Sequence, residues 1–134
     1  MKPSTPATLA LGVPMPSIPL PRGWARLLLV AALAATAWAA TTSRHIAAAD
    51  VFSDKLLHAV AFAGLAALAH SAFPLRGQFA LSLMGLLGYG FAIELVQSRL
   101  PYRSYELFDL LADAVGLGAY VVASAVLGRL MTTR

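Results

Sequence analysis

Four apolar runs separated by short polar breaks organise the chain: Trp24 to about Ala40, Asp54 to Phe73, Phe79 to Gln97, and Tyr105 to about Leu127. Each is close to the roughly twenty residues that a helix needs to cross a bilayer core. The pattern predicts an all-α integral membrane bundle of about four transmembrane helices, at 24–40, 54–73, 79–97 and 105–127, within one domain spanning 23–134. Pro74-Leu75-Arg76-Gly77-Gln78 is a short break that suits an antiparallel pair, because the residue before a proline disfavours helix. The polar stretch from Thr41 to Ser53 offers Asp50 or Ser53 as a helix cap. Gly128 and Arg129 suggest a helix stop followed by a basic tail.

Residues 1–22 break the pattern differently. They hold six of the eight prolines, each lacking a backbone donor, which predicts a disordered proline-rich tail. A signal peptide is the rival reading of the first run, since Ala37-Trp38-Ala39 resembles a small-x-small cleavage site. The long segment ahead of it favours a retained span.

Charge inside the apolar runs is the exception that points to chemistry. On the fourth run Asp109, Asp113, Gly116 and Tyr120 are spaced by four, three and four, so they share a helix face. Gly90, Glu94 and Gln97 do the same on the third, and Asp54 and His58 on the second. With about 1.5 Å of rise per residue, Asp113 lies roughly 10 Å deeper than a helix start near Leu107. A carboxylate facing lipid there costs about 2.5–3.5 kcal/mol, so it is expected to face the bundle interior. An even number of spans brings the first and third loops to one side of the membrane. Asp54-Lys55-x-x-His58 and the Glu94 to Asp113 segment therefore meet at one end of the bundle.

The residue types narrow what that end can do. His58, Glu94 and Asp109 are the acid/base candidates, because an imidazole and a carboxylate shifted by burial can hold and return a proton. Lys55 and Arg103 can grip an anionic headgroup through charge-assisted hydrogen bonds, with Gln97 and Ser104 as polar neighbours. Asp54, Gly90, Asp113 and Gly116 are expected in structural and packing roles. Blander readings exist for the shallow residues: Asp54 as a cap, Lys55 as an interfacial cation, Asp109 as a first-turn charge with Arg103 as its loop partner. Nitrogen and oxygen ligands would suit a divalent metal, but no tight ligand spacing supports one, so neither metal nor cofactor is expected. His45 and His70 read as interfacial, and Tyr89, Tyr102, Tyr105 and Trp38 as interface anchors ahead of core packing.

Composition agrees with the membrane reading. Of 134 residues, 59% are hydrophobic and 12% charged, and the mean hydropathy of +0.73 exceeds that of soluble domains. The net charge of +4 does not imply nucleic acid, because the basic residues are scattered singly through loops and ends. Lys2, Arg22, Arg26, Arg76, Arg129 and Arg134 fall on one side, against Arg44, Lys55, Arg99 and Arg103 on the other, which favours both termini in the cytoplasm. The chain has no cysteine, which removes disulfides and thiolate chemistry.

Asp54-Lys55-x-x-His58, Glu94-x-x-Gln97, the loop with Pro101 and Arg103-Ser104, then Asp109 and Gly116 together resemble the VanZ-like family of small bacterial membrane proteins. The resemblance covers about residues 50–120. It implies a multi-pass protein of the bacterial inner membrane acting in the cell envelope, in a family named for low-level teicoplanin resistance. Family members commonly carry Asn where this chain has Asp113. The expected partners are membrane lipid and a lipid-linked or anionic envelope component. The alternative is an accessory subunit packing against another membrane protein, whose contact would be lost if Gly90 or Gly116 were enlarged. Proton or solute passage along Asp109, Asp113 and Tyr120 is disfavoured, because the opposite half of the bundle offers little beyond His70.

Overall fold

The computed structural model of the chain describes residues 15–42, 51–102 and 106–133, with side chains described for all of these except 51–53. Among the described residues the chain forms four helices, α1 (Arg22–Thr41), α2 (Val51–Ala72), α3 (Arg76–Gln97) and α4 (Leu107–Thr132). All four are long and apolar enough to cross a membrane. The protein is an all-α bundle with the composition of a multi-pass membrane protein.

The expected spans are recovered to within a few residues, and the shifts have local causes. The second break is shorter than expected, since α3 begins at Arg76 with Leu75 as its extended cap residue. Only Phe73, Pro74 and Leu75 therefore separate α2 from α3. At the other extreme, Gly128 does not stop α4. It is buried inside the helix, which runs on through Leu130 and Met131 to Thr132. A glycine ends a helix when the backbone turns left-handed there, and here its missing side chain is used inside the helix instead. Residues 1–14 of the proline-rich tail, together with His45, Asp50 and Tyr105, lie outside the described residues. Of the proline-rich segment that is described, Leu20 packs against the core.

Helix association in lipid draws little from hydrophobic burial, because acyl chains are as apolar as leucine; close packing and interhelical hydrogen bonds carry it. α2 is the central element, touching α1, α3 and α4, and its contact with α4 is the most extensive in the bundle. Its alanines at 66, 69 and 72 are fully buried, as is Ala25 on α1, and Phe62, Leu65, Leu86 and Leu117 complete the centre. α1 is part of this core through Ala25 and Leu29. Trp24 and Trp38 face outward near its two ends, where the sequence places interface anchors.

Polar ties fix which ends meet. Gln97 Nε2 donates to the Ala40 carbonyl at 2.9 Å, and the Tyr102 hydroxyl donates to the Thr41 carbonyl at 2.9 Å. The C-termini of α1 and α3 thus lie at the end where α2 and α4 begin. At the opposite end the Arg26 guanidinium sits 5.3 Å from the centre of the Phe73 ring, a cation–π distance.

Candidate functional site

Close helix approach comes first, because it lets short side chains meet. A Cβ on Gly116 would overlap the carbonyl oxygen of Ala59 and lie 2.8 Å from its carbonyl carbon. The backbones of α2 and α4 therefore touch at that level, which any larger residue would prevent. A Cβ on Gly90 would come within 2.6 Å of Asp113 Oδ2 and 3.1 Å of the Phe62 ring. Both glycines perform the packing role expected of them, and they perform it within the chain. An accessory-subunit contact built on enlarging them loses its basis, because neither faces outward.

One residue before Ala59, His58 meets α4. Its Nδ1–H donates to Asp113 Oδ1 at 2.9 Å, and its Nε2 lies 3.8 Å from Asp109 Oδ2. The imidazole thus sits between two carboxylates one helical turn apart. Asp113 is 2% exposed and faces the interior, as its depth demands. Its structural role proves to be that of direct partner to His58.

Lys55, one turn before His58, donates to Asp109 Oδ1 and to Glu106 Oε2, and Asp54 Oδ2 lies 4.0 Å from its ammonium. Its charge is already committed to carboxylates of the chain, so it is not a free anion grip. This differs from the substrate-binding role expected for it. The physical reason is Glu106, just ahead of α4, to which the sequence assigns no role. Its position three residues before Asp109 was the available signal, since an extended residue before the first helical turn can reach the same cation.

Glu94 reaches the cluster from α3. Gly90 abuts Asp113, and α3 and α4 run in opposite directions, so the next turn of each helix sets Glu94 against Asp109. The backbone N–H of Glu106 donates to Glu94 Oε2 at 3.3 Å. Glu94 Oε1 is buried without a hydrogen-bond partner among the described residues. Gln97 belongs to the same face, but its amide is engaged with Ala40 and ties α3 to α1. Arg103 and Ser104 lie outside the described residues.

Asp54, His58 and Asp109 each offer a ligand atom within 4.8 Å of the others. The site therefore combines a hydrogen-bonded imidazole, carboxylates from three helix ends and a neutralised lysine. Such a set can hold, accept and return protons, or bind a cation.

A second polar cluster lies at the other end of the bundle. His70 Nδ1 and the Tyr120 hydroxyl hydrogen-bond at 2.9 Å, and the His70 ring stacks on Phe79 with centroids 4.4 Å apart. His70 is 1% exposed, which corrects the interfacial reading. Tyr89 is likewise turned inward, donating to the Leu33 carbonyl at 2.6 Å and meeting the Thr36 hydroxyl at 2.8 Å.

The fold and this site define the class: a four-helix membrane bundle with a buried acid–imidazole cluster at one end. No protein-family model matches this chain, and no curated protein or solved structure matches it either.

Proposed function

We propose that the chain is a VanZ-like cell-envelope membrane protein that engages the polar headgroup of a lipid-linked envelope component at the His58 end of the bundle. The observation that carries the reading is the Asp113–His58–Asp109 arrangement, with 2.9 Å on one side of the imidazole and 3.8 Å on the other. His58 and Asp109 come from the two separated motifs on which the resemblance rests, Asp113 stands where the family commonly has Asn, and the three converge at one bundle end, where a headgroup can reach them.

The balance of charge favours proton exchange and hydrogen bonding over an anion grip. Among the described residues, Lys55 and His58 stand beside Asp54, Glu94, Glu106, Asp109 and Asp113. Binding of an anionic component therefore rests on Arg103. In this reading His58 exchanges the proton, Asp113 orients the ring, and Asp109 and Glu94 stabilise its charged form. Both termini lie in the cytoplasm, the site faces outward from the inner membrane, and glycopeptide (teicoplanin) resistance is the phenotype to examine.

The test is teicoplanin susceptibility and envelope integrity in a bacterial host expressing the chain or its His58→Gln and Asp109→Asn variants at matched membrane levels. Loss of the phenotype in both supports the reading, and full retention by well-folded variants refutes it. The accessory-subunit reading keeps one observation in its favour. Gly64, Gly85, Gly88 and Gly118 have no heavy atom within 4 Å of an added Cβ, so these small surfaces are open to another helix.

A further inference from the structure

Among the described residues, the imidazole of His58 uses only one of its nitrogens in hydrogen bonds. With Nδ1–H donating to Asp113, the neutral ring carries its lone pair on Nε2. That nitrogen stands 3.8 Å from Asp109 Oδ2, too far for a hydrogen bond but suited to two ligands converging on a third atom. Metal-bound histidines almost always donate the other ring N–H to a carboxylate or carbonyl, which fixes the ring and raises its basicity. Asp113 holds that position here.

Asp54 is one turn before His58 on α2 and completes a group of three ligand atoms within 4.8 Å of one another. Lys55 takes Asp109 Oδ1 and lies 4.0 Å from Asp54 Oδ2, which leaves Asp109 Oδ2 facing the imidazole. A second, independent observation points to a ligand. Glu94 is 1% exposed, its Oε1 has no hydrogen-bond partner among the described residues, and its helix sets it against Asp109. A buried carboxylate oxygen without a partner is costly. A cation beside it, or a water on that cation, removes the cost.

We infer that Asp54, His58 and Asp109 bind one divalent transition-metal cation at the end of the bundle, with Asp113 orienting the imidazole and Glu94 facing the ion from α3. One nitrogen with several carboxylate oxygens suits Mn2+, Fe2+ or Zn2+ better than Mg2+, which prefers oxygen and keeps its waters. The inference rests on the same polar end proposed above as the working site and adds the cofactor class: with the ion bound His58 is a ligand, and the proton exchange assigned to it above belongs to the ion-free form.

The test uses the full chain purified in lipid nanodiscs and titrated with MnCl2 alone. The expected result is one Mn2+ per chain, imidazole nitrogen modulation in its electron spin-echo signal, and persistence of that signal in excess Mg2+. Asp54→Asn, which removes a partly exposed ligand, is expected to weaken binding by about tenfold or more with an unchanged thermal transition. Absence of nitrogen modulation overturns the inference on the unaltered protein, whatever the variant does, and so does unchanged affinity in a folded Asp54→Asn. If Mn2+ fails to bind while His58→Gln still abolishes the envelope phenotype, the cation falls and the functional reading stands. If Mn2+ binds as expected while His58→Gln keeps the phenotype, the reverse holds.

Discussion

Replacing Gly116 by alanine is the sharpest probe of how packing and site depend on each other. An alanine Cβ would overlap the Ala59 carbonyl oxygen and stand 2.8 Å from its carbon and 2.9 Å from its Cα. These are main-chain atoms of a central helix, so no side chain can swing away. The overlapping carbonyl oxygen sets the demand, and restoring ordinary contact with it requires α2 and α4 to part by more than about 1 Å. The His58–Asp113 bond beside it would stretch from 2.9 Å to about 4 Å, where a hydrogen bond no longer forms. Overpacking costs about 1–3 kcal/mol, and an interhelical hydrogen bond in a membrane contributes about 0.6–1.7 kcal/mol. A combined loss of about 2–4 kcal/mol is expected, measured against Gly118→Ala as the reference. Gly118 is two residues on in the same helix, with no heavy atom within 4 Å of its added Cβ, so both variants share the helix-propensity gain. The assay is reversible unfolding in mixed micelles followed by circular dichroism, with imidazole nitrogen NMR reporting the His58 bond. If the two variants agree to within about 0.5 kcal/mol and the His58 resonance is unmoved, the close approach of α2 and α4 is not what holds the site.

Tyr120→Phe removes the partner of buried His70 while leaving the ring in place. It is expected to lower stability by about 0.6–1.7 kcal/mol in the same unfolding assay, and an unchanged transition would refute the bond. Asp113→Asn keeps an oxygen to accept from His58, whereas Asp113→Leu leaves Nδ1–H unsatisfied. The asparagine variant is expected to unfold within about 1 kcal/mol of the parent and the leucine variant to lose about 1–3 kcal/mol. Equal losses in both would show that charge on residue 113, and not hydrogen bonding, is what the bundle requires.

The four helices could be read from the sequence because apolar run length is a direct physical requirement of the bilayer, and charges within those runs mark the interior. The meeting of Asp54-Lys55-x-x-His58 with Glu94, Asp109 and Asp113 could be read for the same reason, since an even number of crossings returns the loops to one side. His70 was misplaced because a single buried face was assumed for α2. The helix lies among three neighbours, so a residue a third of a turn from His58 is still inside. Tyr89 carried a usable signal in its position. It lies mid-span between Gly88 and Gly90, too deep for an interface anchor, and its hydroxyl needs a partner there. The commitment of Lys55 was not legible, because it depends on how the chain ahead of α4 brings Glu106 back towards α2. No periodicity encodes that turn.

The central position of α2 bears on how the chain is made. It has the largest buried share of the four helices, and it carries Lys55 and His58, whose α4-side partners are synthesised about fifty residues later. At the moment α2 leaves the ribosome, Lys55 and His58 lack the carboxylates that pair with them at the start of α4. That pairing waits for α4, so the polar end of the bundle closes from its last helix back onto its second. A ribosome stalled before Asp109 and Asp113 emerge would leave α2 exposed to membrane quality control.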